Sequence, residues 1–164
     1  MSFLVRDIPV WKTVMLGLEK SPFAYHDALL KANVQIPTWT QDVWEKVPVS
    51  PVPVALDLFR ASVADFGFRR GARCAEISAV TLQFGFELCP AETSFVLRAG
   101  YKDQPAGESL RLVMETLCDS DGDEVVFIIG HGNNRRFLHV SYGRPDHFLG
   151  PWEELVLSKR SKLH

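Results

Sequence analysis

Residues 86–110 read FELCPAETSFVLRAGYKDQPAGESL, and the assignment of the middle of this stretch decides the fold. SFVLRAGY (94–101) is an apolar run with an aromatic residue near each end, and SLRLVMETL (109–117) is a second such run. Between them lies KDQPAGE, in which Asp103 can bond its own backbone, Pro105 stiffens the chain and Gly107 can supply a left-handed position. Two strand-like runs about such a loop read as a β-hairpin. Within LRLVM, Leu110, Leu112 and Met114 fall on one face and Arg111 and Val113 on the other. The same texture continues downstream. SLRLVMETL and EVVFIIG flank CDSDGD, and EVVFIIG and RRFLHVSYG flank HGNN. Asp121-Gly122 and Gly132-Asn133 are turn-forming pairs, because Gly and Asn tolerate positive φ. A loop around GRPDHFLGP then precedes a final strand, EELVLSK.

Upstream the texture is helical. In SPFAYHDALLKAN, Ser21 is an N-cap and Pro22 suits the first turn, where its missing N–H is no loss. Phe23, Leu29 and Leu30 supply the expected apolar face, and Asn33 the stop. A second short helix starts near Thr38 or Thr40 and runs through Val43 and Trp44. KVPVSPVPV follows, with Pro48, Pro51 and Pro53 spaced too closely for a helix or a central strand, so it reads as a linker or an extended covering arm. ALDLFRASV is strand-like, with Leu56 and Leu58 on one face. In GARCAEISAVTLQFG, Cys74, Ile77, Thr81 and Phe84 recur at helical spacing and Gly85 can end a helix, so a helix is expected.

The chain has 164 residues, enough for one domain with or without a small appended part. Its 46% hydrophobic and 23% charged residues are a globular balance. With 18 basic and 20 acidic residues and a net charge of -2, it lacks the basic excess of a dedicated nucleic-acid binder. Three widely spaced cysteines, Cys74, Cys89 and Cys118, form neither a disulfide framework nor a CxxC metal pair, and fit a reducing compartment. MSFLVRDIPV carries Arg6, Asp7 and Pro9 where a signal peptide needs an apolar run, and no stretch approaches the roughly 20 apolar residues of a membrane span. The expected location is the cytoplasm.

No complete catalytic constellation is legible. GxSxG, a Walker loop, GxGxxG and paired helical histidines are all missing, and no cofactor is implied. The catalytic candidates are Cys89, Glu92 and His131. Cys89-Pro90-Ala91-Glu92 reads as a buried thiol at a bend with a pairing carboxylate, since a nucleophilic cysteine needs a base and a lowered pKa. Asp119, Asp121 and Asp123 are the metal candidates, but the later glutamate of an EF-hand is replaced by VVFIIG, so a solvated Asp-Gly turn is expected. The binding candidates are Tyr101 beside Glu108, then Asn133, Asn134, Tyr142, Arg144, His147 and Trp152, residue types that recognition surfaces favour. Trp11, Trp39 and Trp44 read as pins holding small helices to a sheet.

Several segments together resemble a family of uncharacterised small bacterial proteins. They are Trp11-Lys12-Thr13 with Leu16-Gly17, Phe66-Gly67-Phe68 with Gly71-Ala72, Glu87-Leu88-Cys89-Pro90-Ala91-Glu92, Tyr101-Lys102-Asp103-Gln104-Pro105 with Gly107-Glu108, Asp119-Ser120-Asp121-Gly122, and Pro145-Asp146-His147-Phe148. The resemblance spans nearly the whole chain and implies no activity. The last hairpin and loop are also similar to the display surface of C-type-lectin-like binding proteins, departing at Leu149, Pro151 and Glu153-Glu154. The expected fold is α+β: a helical segment over residues 1–50, then over 51–164 a helix on a mostly antiparallel sheet of hairpins, the two able to pack as one unit. The expected function is non-enzymatic binding of a protein or small molecule through the C-terminal loops. The alternative is a small hydrolase or transferase using Cys89 or His131 with Glu92.

Overall fold

Phe95, Val96 and Leu97 are buried on every side, and they lie in a helix, not in the first strand of a hairpin. A short run buried all round shows neither a period of 2 nor one of 3.6, so its pattern cannot separate the two. Pro90 decides it locally. The N–H groups of Thr93, Ser94 and Phe95 bond the carbonyls of Pro90, Ala91 and Glu92, which winds the first turn directly out of the bend. KDQPAGE is therefore a helix-to-strand connection.

The computed structural model describes residues 5–161, so the start of the N-terminal stretch read for a leader lies outside them. In chain order the elements are β1 (Lys12–Leu16), α1 (Pro22–Lys31), α2 (Thr38–Trp44), β2 (Val54–Ser62), β3 (Ala72–Arg73), α3 (Cys74–Gln83), α4 (Thr93–Gly100), β4 (Ser109–Leu112), β5 (Leu117–Cys118), β6 (Glu124–His131), β7 (Arg136–Tyr142), β8 (Phe148–Leu149) and β9 (Glu154–Arg160). The fold is α+β. Strands β1, β2, β9, β4 and β6 lie side by side, with β5 and β7 also on β6, and β3 and β8 form a separate ribbon. Every pairing between these strands is antiparallel except β4 with β9.

The hairpins β5–β6 and β6–β7 form as expected, with Gly122 at positive φ in the first turn, while in the second the positive φ falls on Asn134 and not on the expected Gly132-Asn133 pair. The run SLRLVMETL breaks into β4 and β5, because Cys89 pairs across to Val113 and Met114 and draws the chain off β6. The last strand does not extend the meander. It inserts between β2 and β4, where Leu155, Val156 and Leu157 are sealed on both faces of the sheet.

Helices cover both faces. Leu56, Leu58, Leu110, Leu112, Phe127 and Ile129 meet α1, α2 and α4 on one side, where Trp44 stacks on Phe95 at 4.2 Å. On the other side Phe59, Ala61, Val113, Leu155 and Leu157 meet Ile77 of α3 and the β3–β8 ribbon. The first fifty residues also hold β1, an edge strand that reading of the segment as helical did not include, and their side chains enter the same core as those of the sheet.

In α1, Ser21 caps through the Ala24 N–H and Asn33 takes φ 63 just past the end. Its inward face is Tyr25 and Leu29, however, while Phe23 and Leu30 are exposed. The i, i+4 pair Tyr25–Leu29 sets the face because the Tyr25 hydroxyl is anchored on Glu92. Trp44 and Trp11 pack inward, the former donating Nε1–H to the Pro22 carbonyl at 2.6 Å, whereas Trp39 stands exposed. Among the described residues no helix is long and apolar enough to cross a membrane.

Candidate recognition surface

Strand β7 delivers its last side chain, Tyr142, to one end of the sheet, and the chain then crosses the α3 face through 143–150. The crossing is fixed by the backbone: Cys74 N–H bonds the His147 carbonyl, Ala75 N–H bonds that of Pro145, and β8 pairs with β3. Because the loop is pinned by its main chain, its larger side chains are free to point outward. Tyr142 is 54% exposed, Phe148 58% and Trp152 77%. The Tyr142 and His147 rings lie 6.4 Å apart, and Arg144 and Asp146 form an exposed pair at 3.9 Å. The Trp152 indole lies against Gly150, where an added Cβ would come within 2.5 Å of it.

These residues do not form one patch. Glu154, at the start of β9, pairs with Leu110 and lies at the same level as Ile129, so Trp152 sits near the His131 end of β6. It lines a cleft with Arg60, Glu108, Arg111, Glu153 and Glu154. Tyr142 lines another at the opposite end with Trp39 and Asp119, Asp121 and Asp123. Asn133 and Asn134 are exposed in the β6–β7 turn, about 20 Å along β7 from Tyr142. The loops thus offer two aromatic sites, Tyr142–His147 and Trp152. Phe148, from the same loop, and Trp39 belong to this exposed set, and Trp39 departs from its reading as a pin between helix and sheet.

Tyr101 is buried and donates its hydroxyl to Glu108 at 2.9 Å. Burial raises its pKa, helped by that carboxylate. Trp11 meets the Tyr101 ring edge-on at 5.2 Å, and Arg60 joins Glu108 at 3.3 Å. His131 closes the same end, with Nδ1 2.6 Å from the Gln104 carbonyl oxygen.

The catalytic candidates lie apart. Cys89 adjoins Val113 beyond the end of β4, and His131 lies beside Glu108 just before its start, about 17 Å away along the strand. The Cys89 thiol donates to the Val156 carbonyl at 3.4 Å, and burial pushes its pKa up to about 12. That is the opposite of activation. Native Cys89 is expected to react slowly with a thiol reagent that labels it readily after unfolding. Rapid native labelling at neutral pH, followed by peptide mass spectrometry, would overturn this assignment. Glu92 is engaged elsewhere: one carboxylate oxygen accepts from Tyr25 Oη at 2.5 Å and Gly17 N at 2.8 Å, the other from Ser50 N at 2.8 Å. Oxygens of Asp119, Asp121 and Asp123 all fall within 4.8 Å of one another. Asp119 Oδ1 accepts the Asp121 and Asp123 N–H groups at 3.0 and 2.9 Å, so part of that cluster is spent on the turn itself.

Geometry defines an α+β protein with exposed aromatics on main-chain-pinned loops. No protein-family model matches the chain, and comparison with curated proteins and with solved structures finds no match.

Proposed function

We propose that this chain is a non-enzymatic binding protein whose recognition surface lies on its C-terminal loops. The observation that carries the reading is the exposure of Tyr142, Phe148 and Trp152 on a segment otherwise anchored by backbone hydrogen bonds. Large aromatics on an anchored backbone, with only two side-chain torsions to fix, bring contact area at little entropic cost, which is how binding surfaces use them. Arg144 and His147 flank Tyr142 with polar contacts suited to a protein or small-molecule ligand. Three unpaired cysteines, one of them exposed, fit a reducing cytoplasm.

Tyr142→Ala with Arg144→Ala should shift unfolding free energy by no more than about 0.5 kcal/mol for each exposed site. The same double variant should lose whatever protein or small molecule co-purifies with the parent under native conditions, as read by mass spectrometry. Unfolding of the variant, or undiminished recovery of the partner, would refute the surface.

A further inference from the structure

Two of the described arginines are fully or nearly buried, and the fold treats them differently. Arg98 is surrounded by oxygen acceptors, from Gln104 and the carbonyls of Tyr101, Gly130 and Phe137. Arg111, 6% exposed, has one oxygen acceptor, the Tyr142 carbonyl bonded by Nη2, and the Cys74 sulfur at 3.8 Å. Its Nε and Nη1 donate to no described residue, yet neither atom is sealed away from solvent. The ion pairs among the described residues are Arg60 with Glu108 and Glu154, and Arg144 with Asp146, so Arg111 has no counter-ion.

A charge that is mostly buried and has no ion pair among the described residues is poorly solvated, and an anion that enters beside it recovers part of that cost. Arg111 lies in the wall of a cleft of about 250 Å³ between α3 and the sheet. The other walls include Ile77, Leu88, Val113, Met114, Val126 and Leu155, and Gly143 and Pro145 roof it. Glu124 lies at the far end, four residues along β6 from the Ile128 that pairs with Arg111, or about 13 Å. Exposed Glu115 stands at the rim. A single cation beside apolar walls suits one negative charge on an apolar body, and the distal carboxylates disfavour a multiply charged anion.

We propose that this cleft binds a small monocarboxylate with an apolar body, its carboxylate on the Arg111 guanidinium and its hydrocarbon between α3 and β4–β6. The Tyr142 and Arg144 side chains do not line this cleft, although Arg111 also borders the Trp152 cleft and donates to the Tyr142 carbonyl.

The three free cysteines provide the readout. Cys74 lines the cleft, Cys118 is exposed and serves as an internal reference, and Cys89 is buried. Octanoate at ten times its Kd should slow native alkylation of Cys74 about tenfold and leave Cys118 unchanged. Octanoate should also raise the melting temperature in a concentration-dependent way. Octanol and inorganic phosphate, each holding half of the proposed chemistry, should do neither at equal concentration. Arg111→Met should abolish octanoate protection while circular dichroism remains that of the parent. Should Arg111→Met fail to fold, Ser78→Phe, which fills the cleft from α3 and leaves the guanidinium in place, must lose protection instead. Protection by octanol or phosphate equal to that by octanoate would overturn the proposal. So would no protection at millimolar octanoate, or protection retained in a folded Arg111→Met or Ser78→Phe variant.

Discussion

Glu92→Ala is expected to lower the unfolding free energy by about 3–5 kcal/mol, because it strands a buried hydroxyl and two backbone N–H groups at once. Glu92 joins three separate parts of the chain to the first turn of α4: the end of β1 through Gly17, α1 through Tyr25, and the proline-rich arm through Ser50. Gly17 takes φ 79 with the Val52 carbonyl against its Cα, where an added Cβ would lie 2.3 Å from that oxygen, so the backbone has no freedom to seek another partner. Tyr25→Phe removes one donor and leaves Glu92 two others, so its cost should be only about 1–2 kcal/mol. Urea denaturation measures both. A Glu92→Ala variant within 1 kcal/mol of the parent would mean that water takes over the three bonds.

Tyr25 also predicts a pH response. Burial, then the hydrogen bond and charge of Glu92, push its pKa from 10.0 to about 12. Between those values the folded chain holds a proton that the unfolded chain has released, so stability must fall as pH rises. The Tyr25 contribution is therefore complete below pH 10 and lost as pH passes 12. Tyr25→Phe should unfold along a shallower alkaline slope than the parent, and an unchanged slope would assign the loss to other groups.

The second large effect belongs to Arg98. Nη1 reaches Gln104 Oε1 at 2.6 Å and the Gly130 carbonyl at 2.8 Å, and Nη2 reaches the Tyr101 carbonyl at 2.6 Å. The guanidinium thereby ties the last turn of α4 to loop 101–108 and to the β6–β7 hairpin. Burial, with the Arg136 charge nearby, lowers its pKa to about 10, still well above neutral, so it remains a cation. Arg98→Met keeps much of the volume but leaves those acceptors dry, and should cost about 3–5 kcal/mol. Arg98→Lys should fare little better, since one ammonium cannot occupy both Nη positions. Loop 101–108 should become the first site of limited proteolysis in either variant. Wild-type stability in Arg98→Lys would show that one donor position suffices.

The α+β class, the caps of α1, the α3 helix and the two hairpins about β6 were legible because each rests on local chemistry. Ser21 and Gly122 act within a few residues of themselves, and the period of α3 survives because one side of it meets solvent. The same locality explains the failures. SFVLRAGY carries no period once buried on all sides, and the apparent hairpin across KDQPAGE dissolves when α4 takes its place. The candidate surface was legible by residue type, as Tyr142, Arg144, His147 and Trp152, but not by position, since the opposite ends of a sheet look adjacent in a loop-rich sequence. Trp39 read as a packing residue because nothing local tells a packed aromatic from an exposed one. Arg111 left only a faint signal, a cation inside an apolar strand.

Taken alone, the sequence determined where this chain turns, where most of its helices begin and end, and which strands pair as close neighbours. Those choices depend on backbone preferences and on contacts within a few residues. Tertiary structure alone decided that α4 is a helix, that β9 inserts between β2 and β4, that Glu92 clamps the N-terminal arm, and that Arg111 is nearly buried with no ion pair among the described residues. Each of these depends on which distant groups exclude water from a side chain, and that exclusion exists only when the sheet and both helical layers have closed around it.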